Sequence, residues 1–163
     1  MKKICFRFLI LIALLSLLAG CEEGGGAYYV SFEADGVPVT LTEGAVPGGT
    51  TYEQATGYFS KSSFTIWASE EGNSNHVIKL RFAGLTTGTY VDPNCGCVYY
   101  TDYPDTYYAS DFYLAHDLTI TVTELGEVGD VISGTFSGTL EDDADTEMII
   151  TNGEFRVLRE VDP

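Results

Sequence analysis

The chain has 163 residues, with 8 Lys+Arg against 24 Asp+Glu and a formal net charge of −16. Residues 1–20 carry three of the basic residues and no acidic one, so residues 21–163 have a net charge of −19. That balance excludes a generic nucleic-acid binder and a polybasic membrane-surface protein.

The first twenty residues read as a secretory leader. Lys2, Lys3 and Arg7 form a charged start, and an apolar run of eleven residues covers positions 8–18. A run this short cannot span a bilayer, which needs about 20 residues. Leu18-Ala19-Gly20-Cys21 comes next. This resembles the lipobox of bacterial lipoproteins, and the resemblance implies that Cys21 is acylated and becomes the new N-terminus. Several acyl chains make a stable membrane anchor. Residues 21–26 then form an acidic, glycine-rich tether, Glu22-Glu23-Gly24-Gly25-Gly26, of flexible character. The residue after Cys21 is not Asp, the usual inner-membrane retention signal, so an outer-membrane lipoprotein is expected, on the periplasmic face or the cell surface.

Residues 27–163 read as a single all-β domain. Period-2 alternation recurs, and no window longer than ten residues holds a helical stripe. Residues 28–34 alternate and meet Asp35-Gly36, a type I′ hairpin signal, with a return strand over 37–42. Further strands are predicted over 52–60, 63–69, 76–83, 118–124 and 131–140. Gly134 and Gly138 in the last of these point to a bulky ring lying over the strand. A closing hairpin is predicted over 148–158, turning at Asn152-Gly153. Eight or nine short strands of this spacing predict an antiparallel β-sandwich or jelly-roll-like domain.

Several of these elements together carry a family resemblance. They are Ser31-Phe32-Glu33-Ala34-Asp35-Gly36, then the run 84–90 ending in Gly88-Thr89-Tyr90, Leu118-Thr119-Ile120, Ile132-Ser133-Gly134-Thr135-Phe136-Ser137 and the run 150–157. In that order they resemble small bacterial envelope lipoproteins of the Bacteroidetes type with a domain of unknown function. The shared motifs are turn and core signatures, so the resemblance implies fold and carries no activity and no functional residues.

Three features are candidates for chemistry. Cys95-Gly96-Cys97 holds the two thiols left once Cys5 departs and Cys21 is acylated. An oxidising envelope favours a disulfide staple, which a tight turn at Gly96 would permit. The alternatives are free thiols, a bridge to an outside cysteine, or a redox-active or metal-binding pair. Zinc would need further ligands, with His76 and His116 the only imidazoles.

Residues 90–113 hold seven tyrosines and four aspartates with few aliphatic residues. They are expected to form a long loop outside the core. Tyr99, Tyr100, Tyr103, Tyr107 and Tyr108, with Asp102 and Asp105, are candidates for contact with a glycan or an envelope protein. The bland alternative is a loop packed over a sheet edge. Asp142, Asp143, Asp145 and Glu147 form an acidic stretch that reads as a solvated turn, with weak Ca²⁺ association as the alternative, because the glycine and distal glutamate of an EF-hand loop are absent.

No catalytic motif is present: there is no nucleophile elbow, zinc-protease helix or phosphate loop. His76 and His116 read as structural histidines. The expectation is a lipid-anchored, non-enzymatic binding or structural module without a firm cofactor. A redox or metal-handling protein centred on Cys95 and Cys97 is the alternative.

Overall fold

A computed structural model describes residues 28–46, 50–52, 54–60, 63–102, 106–110 and 117–160. The expected leader, Cys21, the tether, Tyr103, Asp105 and His116 lie outside these residues. All regular structure among the described residues is β.

The strands are β1 (Tyr29–Ala34), β2 (Val37–Leu41), β3 (Gly44–Val46), β4 (Thr50–Tyr52), β5 (Thr56–Ser60), β6 (Ser63–Glu70) and β7 (Asn73–Phe82). They continue as β8 (Gly88–Val91), β9 (Cys95–Asp102), β10 (Thr106–Ser110), β11 (Thr119–Leu125), β12 (Val131–Glu141) and β13 (Glu147–Arg159). Eleven of them form one mixed sheet, and β3 and β4 form a separate hairpin.

The pairings fall into two antiparallel runs. One is β2-β1-β13-β12-β11-β8 and the other is β5-β6-β7-β9-β10. They join where β13 meets β5 in parallel, at Leu158↔Thr56 and Arg159↔Gly57, and where Ala109 of β10 meets Glu141 of β12. The inward faces of both runs share one core. Phe32 of β1 meets Tyr99 of β9 edge-on at 5.1 Å, and Phe82 of β7 stacks on Tyr90 of β8 at 4.9 Å. The result is the expected sandwich-like all-β domain.

Local sequence explains most elements. Asp35 and Gly36 both take positive φ, 50° and 79°, and Ala34 pairs with Val37, so the two-residue hairpin forms as expected. Phe64, Ile66 and Ala68 on β6, and Ile78, Leu80 and Phe82 on β7, alternate into the core.

Two expectations are corrected. Asn152-Gly153 is not a turn, because β13 runs unbroken from Glu147 to Arg159. The register jumps from Phe136↔Gly153 to Gly138↔Ile150, so one residue of β12 faces two of β13. Asn152 supplies the left-handed φ of 52° for this bulge. The dipeptide bends a strand held on both edges, and tertiary pairing overrides the hairpin preference. The true hairpin lies upstream at 142–146, where Asp142 Oδ1 accepts from the Ala144 and Thr146 amides at 2.9 and 2.8 Å.

The second correction concerns residues 90–113. Cys95, Cys97 and Tyr99 are core residues, exposed by no more than 3%. Residues 95–102 pair with both β7 and β10. Thiols pack as small apolar groups, and Tyr99 satisfies its hydroxyl internally, so the strand needs no aliphatic side chains to be buried. These strands, with β3 and β4, account for a larger strand number than eight or nine.

Gly134 lies beneath an aromatic ring as expected. A Cβ there would meet the Phe155 ring at 2.5 Å and also the Thr121 carbonyl. At Gly138 the neighbour is Leu118, not a ring. Because the Thr121 carbonyl is fixed in the β11–β12 ladder, Gly134→Ala is expected to cost about 1–3 kcal/mol. Urea denaturation should show a lower midpoint at an unchanged m-value; an unchanged midpoint would contradict the close approach.

Candidate functional site

One end of the sandwich carries the β1–β2, β6–β7 and β12–β13 turns. Two clasps hold this end together. The Ile149 amide donates to Asp35 Oδ1 at 2.8 Å and the Asp35 amide to the Ile149 carbonyl at 2.9 Å. The Gly72 amide donates to Glu43 Oε2 at 3.1 Å, next to the Glu43↔Ser69 bridge.

Between the clasped turns lies an open cleft of about 470 Å³. Val37, Pro38, Val39 and Met148 give it an apolar side, and Glu70, His76, Tyr99 and Thr101 give it a polar one. This combination of apolar surface with a few convergent polar groups is characteristic of ligand sites. Another depression, of about 340 Å³, crosses β11, β12 and β13 and is lined largely by hydroxyls such as Thr119, Thr121 and Thr135.

The polar side of the cleft is a hydrogen-bonded chain. Sheet register builds it: Ile78 pairs with Tyr99, which puts His76, two residues earlier on the same face, beside the Tyr99 hydroxyl. His76 Nδ1 lies 3.0 Å from Glu70 Oε2, and His76 Nε2 is hydrogen-bonded to the Tyr99 hydroxyl. An ionised Glu70 can only accept, so Nδ1–H donates to it, and in the neutral ring Nε2 is then left to accept from the Tyr99 hydroxyl.

The hydrogen bond from His76, and then one from Asn73, hold the Glu70 carboxyl below its ordinary value. Burial, and then the Glu70 charge, push the Tyr99 phenol from 10.0 up to about 12. The phenol therefore stays protonated and acts as a hydrogen-bond donor. Both imidazole nitrogens are engaged, so the ring is held in one orientation.

Only part of the tyrosine-rich candidate set meets at this cleft. Tyr99 walls it from within the core, whereas Tyr100 alternates to the opposite face of β9 and is half-buried. Asp102, Tyr107 and Tyr108 are placed by register, Asp102 opposite Thr106, Tyr107 opposite Tyr100, and Tyr108 opposite Tyr99. Sequence reading missed Glu70 and Thr101 and took His76 as a lone structural residue. The three relay groups are spread over 30 residues, and only strand register brings them together.

Cys95 and Cys97 are free and buried. The expected staple does not form, because Gly96 makes no turn: it is a strand residue paired with Arg81. In an extended strand the two thiols project in parallel, with Cα atoms about 6.6 Å apart, at the limit for a bridge. Cys95 Sγ instead donates to the Leu118 and Tyr90 carbonyls at 3.5 and 3.6 Å.

Burial, and then the Asp92 charge, push the Cys95 thiol up to about 11; burial, and then Cys95, push Cys97 up as well. Thiols kept protonated in this way are poor nucleophiles and poor metal ligands, which argues against a redox or metal role for the pair.

Asp142 is held below its ordinary value, chiefly by the Thr146 amide that it accepts. Its oxygen thus serves the turn of the acidic stretch. Among the described residues, no group of three or more His, Cys, Asp or Glu is placed to hold a metal, so Asp142, Asp143, Asp145 and Glu147 are not assembled as a site.

No family model, curated protein or solved structure matches the chain.

The raised acids make a pH prediction. Cys95 and Tyr99 titrate from 9.0 and 10.0 in ordinary surroundings but only near 11 and 12 in the fold. The unfolded chain therefore releases its protons first, and stability present below about pH 9 is lost as pH rises toward 12. Denaturation midpoints should fall across that window, and less steeply in Tyr99→Phe. A flat profile would contradict the burial of these groups.

Proposed function

We propose that the protein is a lipid-anchored envelope lipoprotein whose β domain is a non-catalytic binding module. Its ligand would be a sugar or similar polyhydroxyl group held in the cleft at the hairpin end. The anchor rests on sequence: the charged start, the short apolar run, and Leu18-Ala19-Gly20-Cys21 with a glycine tether after it. The resemblance to small envelope lipoproteins points to the same address, at the outer membrane.

The binding reading is carried by one observation. The Glu70–His76–Tyr99 chain stands on one side of the cleft, opposite Val37, Val39 and Met148. A sugar ring has an apolar C–H face and hydroxyl edges. The aliphatic side suits the face; the Thr101 hydroxyl, Glu70 and the Tyr99–His76 pair suit the edges. An oriented imidazole with both nitrogens occupied, beside a phenol that does not ionise at neutral pH, is a fixed set of donors and acceptors. It has the preorganisation of a binding wall.

Two measurements test the reading. Cys21→Ser should abolish detergent-phase partitioning of the full chain, and retention of the wild-type partitioning would remove the lipid anchor. On an array of neutral glycans the wild type should bind, and Tyr99→Phe or Thr101→Ala should weaken binding by about threefold to tenfold, the scale of one lost hydrogen bond. Absence of wild-type binding, or undiminished binding by both variants, would overturn the sugar cleft.

A further inference from the structure

The polar wall of the cleft is rich in acceptors and poor in donors. Glu70 Oε2 accepts from Asn73 Nδ2 at 3.1 Å and from His76 Nδ1 at 3.0 Å. The other oxygen, Oε1, accepts no bond among the described residues. His76 has both ring nitrogens engaged. The single Tyr99 hydroxyl proton goes to Nε2 of the neutral ring, which leaves that oxygen with lone pairs only. Thr101 is exposed, and its hydroxyl serves in either sense. A ligand group seated against this wall must therefore supply the protons.

Charge points the same way. The bonds from His76 and Asn73 keep the Glu70 carboxyl ionised at neutral pH. The three turns around the cleft add to its field: residues 34–37, 70–73 and 141–148 contain eight carboxylates and no Lys or Arg. The basic side chains among the described residues lie elsewhere. Lys79 stands over the Trp67 ring, on the face of β7 opposite to that of His76, and Arg81 shares its face. Arg156 and Arg159 are eight and eleven residues beyond Met148 on β13, at least roughly 25 Å along the strand.

Shape narrows the kind of cation. Val37, Val39 and Met148 face the polar wall, so the ligand must carry apolar surface on the side away from its charge. A bare metal ion has none.

We propose that the cleft selects a sugar bearing a free ammonium group, such as a 2-amino sugar, with the ammonium seated on Glu70 Oε1. This rests on the reading of the cleft as a sugar site and narrows it. An ammonium has three donors and no acceptor, the complement of this wall. One donor makes a charge-assisted bond to Glu70, and a second can go to the Thr101 hydroxyl. The C–H face of the ring then meets the aliphatic side. N-acetylation removes the charge and adds a carbonyl acceptor, so it removes the preference.

Backbone-amide NMR reads the site directly. Titration with glucosamine near neutral pH should shift the amides of residues 70–76 and 99–101 saturably. Its dissociation constant should lie at least tenfold below that of glucose, the scale of one charge-assisted hydrogen bond. N-acetylglucosamine should bind no better than glucose. Nα-acetyl-lysine amide, an ammonium without a ring, should bind at least tenfold more weakly than glucosamine. The preference should shrink in about 1 M salt, where the screening length falls to about 3 Å. Glu70→Gln, with far-UV circular dichroism like that of wild type, should lower the ratio of glucosamine to glucose affinity at least fivefold. The proposal is overturned, with the sugar cleft left standing, if glucose or N-acetylglucosamine matches glucosamine or if the ratio survives in folded Glu70→Gln. It is overturned together with the sugar cleft if none of the sugars binds or if the lysine derivative matches glucosamine.

Discussion

The architecture depends on β13 being hydrogen-bonded along both edges. Strand β12 holds one edge from Glu147 to Leu158; β1 holds the other from Ile150 to Arg156, and β5 takes over at Leu158. A strand so enclosed cannot slip, since a one-residue shift would turn Ile150, Phe155 and Val157 out of the core. It can bend, and the Asn152 bulge is where it does so. The bend lets β13 serve the six-stranded run along most of its length and still meet β5 of the other run at its end.

That frame sets the geometry of the cleft. Strand β13 fixes β1, whose Phe32 bears edge-on against Tyr99, and Tyr99 in turn meets His76. Met148, near the start of β13, closes the apolar side. The relay is therefore supported from behind by core aromatic contacts, and its outer end at Glu70 is held by the β6–β7 turn. Rigid support of this kind makes a small polar cluster suitable for recognition.

Sequence reading succeeded where local chemistry decides the structure. Asp35-Gly36 made its hairpin, and the inward alternation of β6, β7, β11 and β12 was visible as period-2 patterning. It failed where distant strands decide. Asn152-Gly153 has the composition of a turn, yet flanking strands on both sides convert it to a bulge. Cys95 and Cys97 are read most readily through thiol chemistry, but they serve as core residues of a central strand. His76 was visible only as an isolated imidazole, because its partners come from a turn six residues before it and a strand 23 residues after it.

The central claim is that His76 is locked between Glu70 and Tyr99 as the polar wall of a ligand cleft. Nitrogen-15 NMR of the imidazole near neutral pH tests it most directly. The expected result is a proton on Nδ1, an acceptor signature at Nε2, and a change in both signals when a glycan that binds the domain is added. A proton on Nε2, or signals that do not respond to a bound glycan, would contradict it.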